Sequence, residues 1–400
     1  MHVLIISQIF PPDLGGSATR AYNLGKGLLT NGSKVTVIAG FPHYPTGNVP
    51  KEYRSKAIVT EYMEGMKVIR TFVPPIASKG FARRLALFIS FIISSLFPLL
   101  LIEKIDGVFA SNPHLLSIFP ALVYKIFHRC PTILNVDDLW PENLYDLGML
   151  KSETSKKVSE FVAKIAYSLA DAITPISPAY VGIIVNKYEI EESKVTVIPG
   201  GVDLSTFTSD FDAIEENGEF KVLYIGAFSP AYDFEQVLRA AKLLEGRDVK
   251  IVLQGSGEAA SMIRKRMKAL NIRNVELIEK VVSRKEVAKI MASSDALLLP
   301  LSGMENVEKG ISSKLYEYQA SGKPIISCSS GMPAKYVEET RSGVVVKPGD
   351  YEALAKAILY LKENKDVAKS LGENGRRYVE NNMSIEKIGS KMKKLFRNFV

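Results

Sequence analysis

DLSTFTSDFDAIEENGE at 203–219, followed by KVLYIGAF at 221–228, decides how this chain folds. The first stretch is polar and acidic with weak periodicity, and reads as a linker. The second is a continuous apolar run, as expected for a strand covered on both faces of a parallel sheet. Before the linker the same pattern recurs at HVLIISQIF (2–10), KVTVIAG (34–40), VIRTFV (68–73), DGVFA (106–110), PTILNV (131–136), DAITPI (171–176) and KVTVIPG (194–200). After it come KIVLQG (250–255), NVELI (274–278), DALLLPL (295–301), PIISCS (324–329) and GVVVK (343–347). Helical patterns lie between the strands, the first an amphipathic one over roughly 17–31. An alternation run through twice predicts an α/β chain of two Rossmann-like, doubly wound domains facing across a cleft. The expected boundaries are 1–202 for the first domain, 203–219 for the linker and 220–383 for the second. A last helix at 384–400 carries an apolar stripe that either domain could cover.

Composition narrows the function. With 46% hydrophobic and 24% charged residues the chain is an ordered globular protein, and 400 residues allow each domain its own core. The two cysteines, Cys130 and Cys328, lie far apart in apolar segments, which fits a reducing cytosol and no disulfide framework. Four scattered histidines (His2, His43, His114, His128) form no metal-ligand spacing, so no metal site is expected. The charge of +8 suits an anionic small substrate or anionic lipid, because no nucleic-acid-binding signature accompanies it. MHVLIISQIFPPD has no cationic leader and reads as a strand rather than a signal peptide. The apolar run LALFISFIISSLFPLLLI (85–102) is at the low end of the about 17–25 residues that span a bilayer, and Pro98 interrupts it. A span would also split the strand-and-helix rhythm. The run is read as a buried or part-exposed helix whose apolar side dips into the cytosolic membrane face beside Arg83 and Arg84.

Three segments could carry chemistry. In VEKGISSKLYEYQASGKP (307–324), Lys309, a turn led by Gly310, the hydroxyls of Ser312 and Ser313, and Lys314 precede Glu317 on the first turns of a helix. A diphosphate is held by backbone N–H groups, hydroxyls and one cation at a helix N-terminus. A carboxylate one or two turns further on can accept hydrogen bonds from a ribose diol, so the segment describes a nucleotide-sugar pocket. The plainer alternative is a solvated helix start. In PPDLGGSATRAYNLGKGL (11–28), Gly15 and Gly16 let backbone approach a ligand, Ser17 can cap the helix and Arg20 can reach an anion there. The spacing is not GxGxxG, which counts against a dinucleotide, and a simple glycine turn would look alike. In NVDDLWPENLYDLG (135–148), Asp137, Asp138 and Glu142 follow a buried strand and could polarise a sugar hydroxyl or hold developing positive charge. Alternatively Asp138 caps a turn and Trp140 fills core. Gly226 closes the first strand after the linker, and GGVDLSTF (200–207) reads as a hinge.

With these segments in place the chain resembles a family-4 glycosyltransferase of the GT-B fold, in the branch that builds capsule, O-antigen and related surface polysaccharides. FPPDLGGSATRAYNL, HYPTGNV, DLWPENLYDLG, KVTVIPGGVDLSTF, SDALLLPL and SKLYEYQASGKP carry the resemblance in the same order, nearly end to end. It implies retaining transfer from a nucleotide-activated sugar with no cofactor or metal, and a last helix that packs back on the first domain. It also implies that Glu317 binds the donor ribose and that Gly15 and Gly16 lie against the donor diphosphate and sugar.

Three departures from the family pattern stand out. Lys309 occupies the place of a usual glutamate, with Glu308 beside it; Ala227 and Tyr232 stand where an Arg and a Lys usually neutralise the diphosphate; and Asp137 stands where a His is common. Two phosphates facing no cation would be costly. Lys314, helped by Ser312, Ser313 and Arg20, is therefore expected to supply the charge and, with Asp137, Asp138 and Glu142, to form the reaction centre. The expected partners are a UDP-sugar donor and a saccharide acceptor, plausibly polyprenyl-linked, and the expected location is cytoplasmic or peripheral on the membrane through 83–104. A nucleotide-sugar 2-epimerase and a degenerate nucleotide-sugar-binding protein remain as alternatives.

Overall fold

The computed structural model describes residues 1–13, 15–44, 47–76, 81–111, 115–146, 148, 150, 152–208 and 218–399. Leu14, Pro45, Thr46, His114, Leu147, Val400 and most of the expected linker (209–217) lie outside the described residues. The chain divides into two compact units, Met1–Gly201 with Ile385–Val400, and Val202–Ser384.

The first unit is built on seven strands: β1 (His2–Ser7), β2 (Lys34–Gly40), β3 (Ile58–Met63), β4 (Met66–Thr71), β5 (Gly107–Ala110), β6 (Thr132–Val136) and β7 (Ala172–Pro175). Their order is β3-β4-β2-β1-β5-β6-β7, parallel except where β3 runs antiparallel to β4. β1 is buried at every position, as a strand covered on both faces must be. The helices are α1 (Gly16–Thr30), α2 (Phe81–Ser94), α3 (Ile118–His128), α4 (Glu142–Asp146), α5 (Glu153–Leu169) and α6 (Pro178–Gly182). Leu87 and Phe91 of α2, Ala121 and Tyr124 of α3, and Ala163 and Tyr167 of α5 share one core with Leu4 and Ile6 of β1.

Two local expectations are corrected here. KVTVIPG (194–200) is extended but is no full strand: it pairs with β7 only through Thr196 and Ile198, whose N–H groups donate to the carbonyls of Ile173 and Pro175. Gly15, with φ of 119°, is the N-cap of α1, so Ser17 falls inside the first turn instead of capping it.

The second unit holds β8 (Phe220–Ala227), β9 (Val249–Ser256), β10 (Val275–Ile278), β11 (Ala296–Pro300), β12 (Ile325–Cys328) and β13 (Gly343–Val346). They form one parallel sheet in the order β10-β9-β8-β11-β12-β13. Its helices are α7 (Phe234–Leu243), α8 (Ala260–Ala269), α9 (Arg284–Ala292), α10 (Glu305–Lys309), α11 (Ser313–Ala320), α12 (Gly331–Glu339), α13 (Tyr351–Glu363) and α14 (Lys365–Asn382). Several starts are capped by side chains: Asp233 for α7, a Ser283–Glu286 capping box for α9, Ser312 for α11 and Asp350 for α13. Strand order reverses between β8 and β11, so the loops at their carboxyl ends open a crevice of the kind where such sheets bind ligands.

α15 (Ile385–Arg397) returns to the first unit and packs on α1. The crossing is backbone to backbone. A Cβ on Gly27 would fall 2.1 Å from the carbonyl oxygen of Ile385, and one on Gly389 would fall 2.1 Å from the backbone of Gly27. The ring of Phe396 similarly occupies the space a side chain at Gly107 of β5 would need.

Candidate functional site

In the first unit, residues following β1 and β6 converge. Arg20, one turn into α1, is buried, and its Nε donates to Oδ1 of Asn135 at 2.6 Å while Nη2 donates to the carbonyl of Ile198 at 2.6 Å. The same Nε lies 3.0 Å from Oδ1 of Asp137, which also accepts from Nδ2 of Asn135 at 2.8 Å. Arg20, expected to reach an anion at the start of α1, thus ties α1 to the end of β6. Burial pushes the Asp137 carboxyl up, while Arg20, then Asn135 and Ser17, pull it back toward the charged form.

Asp138 is exposed at its surface yet closely ringed by protein. This desolvation, with the Asp137 charge beside it, pushes its carboxyl up to about 6; Asn143 opposes the shift. It is therefore the acidic group of the segment that combines solvent access with a titration near neutrality. Glu142 is placed differently. Its Oε1 accepts from the Tyr188 hydroxyl at 2.6 Å and from Nζ of Lys187 at 3.0 Å, and Lys187 also meets Glu160 at 2.7 Å. The carboxylate thereby ties α4 to the chain just after α6. Trp140 packs partly buried against the core, as its structural alternative had it.

A buried network behind the glycine loop carries no mark in the sequence. Arg70 of β4 is fully buried; it donates to the carbonyls of Phe10 and Pro11 and pairs with Oε1 of Glu61 at 2.6 Å. Oδ1 of Asp13 accepts the backbone N–H groups of His43 (2.8 Å) and Tyr44 (2.9 Å). These contacts hold the segment that leads into Gly15 and Gly16, both exposed at the start of α1. The HYPTGNV segment was visible as a motif, and its backbone is what Asp13 grips.

In the second unit the parts gather where β8 ends and α11 begins. Nζ of Lys314 donates to the carbonyl of Ile225 at 3.0 Å and lies 5.6 Å and 5.9 Å from the ring centres of Tyr224 and Tyr232. A Cβ on Gly226, whose φ is 148°, would sit 1.9 Å from that ammonium. The lysine end could yield to a side chain, but the φ of 148° is one that glycine adopts without strain. Tyr232, standing where the resembled family usually has a lysine, offers its ring face to a lysine that arrives from another element. Ser312 is the N-cap of α11, its Oγ accepting the Lys314 N–H at 3.4 Å, and Ser313 opens the helix. The positive end of the helix dipole, two hydroxyls and one ammonium thus meet at one helix start.

Glu317 follows one turn later. Its Oε1 accepts from Nη2 of Arg284 at 2.9 Å, and the guanidinium in turn lies 5.2 Å over the Phe207 ring. Arg284 escaped notice because only the fold brings the start of α9 beside α11. Lys309 is drawn aside to Glu305 at 2.6 Å and Asn306 at 3.4 Å, Gly310 is the extended C-cap of α10, and Oε1 of Glu308 accepts from the Ser330 hydroxyl. Among the described residues, no three His, Cys, Asp or Glu side chains cluster in a way that could hold a metal ion.

Comparison with known proteins gives the family and the fold. Residues 14–206 match the model of Glycosyltransferase Family 4, and residues 206–378 match that of Glycosyl transferases group 1. Capsular polysaccharide biosynthesis glycosyltransferase CapM of Staphylococcus aureus is 24% identical over 278 residues, 65% of this chain and 71% of that protein. Sucrose-phosphate synthase from Thermosynechococcus elongatus superposes with a TM-score of 0.79 at 18% identity, over 99% of this chain and 98% of that one. Anabaena HepE in complex with UDP and glucose gives 0.73 at 15% identity over the whole of both chains. The chain belongs to family 4 of the glycosyltransferases and has the GT-B fold.

Proposed function

We propose that this glycosyltransferase moves a sugar from a UDP-sugar to a saccharide acceptor in surface polysaccharide synthesis, with retention of configuration and with Lys314 in place of a metal ion at the diphosphate. The observation that carries the reading is the Lys314 ammonium beside Gly226 at the capped start of α11. The similarity to a capsule-building enzyme and to a fold that holds UDP supports the acceptor class and the base. A lipid-linked saccharide is the acceptor that fits such a pathway.

The chemistry follows from charge. As the bond from the sugar's anomeric carbon to the diphosphate breaks, negative charge grows on the leaving oxygen. Lys314, Ser313 and the first N–H groups of α11 face that charge and stabilise it more in the transition state than in the ground state. The acceptor oxygen bonds the same carbon from the same face, and its proton passes to a leaving phosphate oxygen. Glu317, steadied through one oxygen by Arg284, keeps lone pairs for a ribose diol. Asp138 acts as its carboxylate toward the transferred sugar or the acceptor hydroxyl. Glu142 supports it by fixing α4.

UDP is expected to raise the melting temperature in a saturable way, more than GDP or ADP, with the shift much reduced in Glu317→Ala and partly reduced in Arg284→Ala. Equal shifts in wild type and Glu317→Ala would remove the ribose assignment. Incubation with a UDP-sugar and candidate acceptors, read by mass, tests transfer itself. Release of a free sugar isomer and UDP with no acceptor gaining mass would favour the epimerase.

The Asp138 carboxyl sets a pH dependence. Because its titration is raised to about 6, the charged form is lost as pH falls through that value. The kcat/KM for transfer is expected to climb through an acidic limb near pH 6, and Asp138→Asn should be slow with that limb gone. An unchanged limb in the variant would assign it to another group.

A further inference from the structure

The first unit carries a surface that donor and acceptor chemistry leave unexplained. The stretch Arg83–Leu101 is long and apolar enough to cross a membrane by length and composition, yet its inner side belongs to the protein. Leu87 and Phe91 of α2 lie in the core; the Ser94 hydroxyl donates to the carbonyl of Phe72 at 2.7 Å, and the Tyr124 hydroxyl of α3 donates to the carbonyl of Ser95 at 2.9 Å. After Ser94 the chain tightens into a 3-10 turn at Phe97–Leu101. A segment locked into a core on one side is not a span.

Its other side faces outward. Ile89, Ile93, Phe97 and Leu100 are exposed, and the neighbouring α3 adds Ile126 and Phe127; Leu100 is 82% and Ile126 77% exposed. α2 packs on α3, so these residues are held on one layer of the sheet. Large apolar groups left in water on two packed elements mark an interaction surface. Their chemistry selects the partner. Protein interfaces are enriched in Tyr, Trp, Phe, Met and Arg with accompanying hydrogen bonds, whereas four of these six are aliphatic and none carries a hydrogen-bonding group. Exposed cations stand at the ends of the same segments: Arg83 in the first turn of α2, Lys104 just past the 3-10 turn and Arg129 at the end of α3, while the exposed Glu103 beside Lys104 is paired with Lys34. Apolar groups that can enter the acyl boundary, with cations at headgroup level, match an anionic bilayer.

We propose that this face of α2, the 3-10 turn and α3 seats the first unit on an anionic membrane surface, with Leu100 and Ile126 entering the lipid. The proposal stands on the surface alone. It is read without donor or acceptor, so its failure would leave the transferase reading untouched.

The test is co-sedimentation of the full chain with phosphatidylcholine vesicles, with and without phosphatidylglycerol. Wild type is expected to bind the anionic vesicles, less so as salt rises. The double variant Leu100→Glu, Ile126→Glu is expected to bind about tenfold or more weakly at an unchanged melting temperature. Leu243→Glu, an exposed apolar position of the second unit, should bind as wild type does. No binding by wild type, or equal binding by the double variant, would overturn the proposal. So would a wild-type dimer that ignores vesicles and that Ile126→Glu converts to a monomer, since a second copy of the chain would then cover this face.

Discussion

Lys314→Ala is expected to lower kcat for sugar transfer by about a hundred- to a thousandfold, the loss seen when one preorganised donor to a developing oxyanion is removed. The expectation is large because the proposed site rests the diphosphate charge on Lys314. Ala227 and Tyr232 bring no charge to the end of β8, and the ammonium that does lie there reaches over from α11 to the Ile225 carbonyl and the two tyrosine rings. Lys309 is held by Glu305 and Asn306, and Arg20 by Asn135 and Asp137. Steady-state kinetics with a UDP-sugar separates two cases. Equal falls in kcat and kcat/KM would show an interaction made in the transition state. A rise in KM at constant kcat would reduce Lys314 to uniform binding of the diphosphate and remove it from the reaction centre.

Arg20→Ala is expected to cost about 3–5 kcal/mol of stability near neutral pH, the usual penalty for stripping one partner from a buried ion pair. Asp137 would keep its charge with only Asn135 and Ser17 to favour it. The sign of the pH dependence follows. Burial already raises the Asp137 titration, and losing Arg20 raises it further, so the penalty belongs to the charged form and disappears as pH falls below that titration. Denaturant unfolding of wild type and variant at about pH 8 and about pH 5 should show the gap narrowing in acid. Adding Asp137→Asn should restore part of the loss at neutral pH. A gap that stays constant with pH would mean that the cost is lost packing of the arginine stem and not the stranded carboxylate.

What could be read from the chain and what could not divide along a physical line. β1, β2 and β8 were legible because strands covered on both faces must be apolar throughout. β3 was not: IVTEYM alternates half-exposed and exposed positions, as an antiparallel edge strand does, and only the Glu64–Gly65 turn, with φ of 45° and 89°, marks its hairpin. KVTVIPG looked like a strand because its residues favour one, yet it lies beside β7 with two backbone bonds. At the site, Lys314 and Glu317 could be picked out from a local run of hydroxyls and charge. Their partners could not. Tyr232 under Lys314, Arg284 on Glu317 and Arg20 on Asp137 are matches between distant segments, and residue type alone does not say which cation will meet which anion. Arg20 illustrates this: a cation near a helix start can face a ligand or a buried carboxylate, and its Nε lies 3.0 Å from Asp137.

The return of α15 to α1 has a consequence for the order in which the chain is made. The first unit is begun by residues 1–201, but the helix that lies against Gly27 and puts Phe396 over Gly107 is translated only after every residue of the second unit. During synthesis, a nearly complete seven-stranded sheet waits with the outer side of α1 uncovered. The second unit is continuous in sequence and can finish ahead of the unit that was started first. Domains usually fold in the order they leave the ribosome. Here the nascent chain inverts that order by one helix: the cover over Gly27 and Gly107 cannot form until the ribosome has read past Phe396.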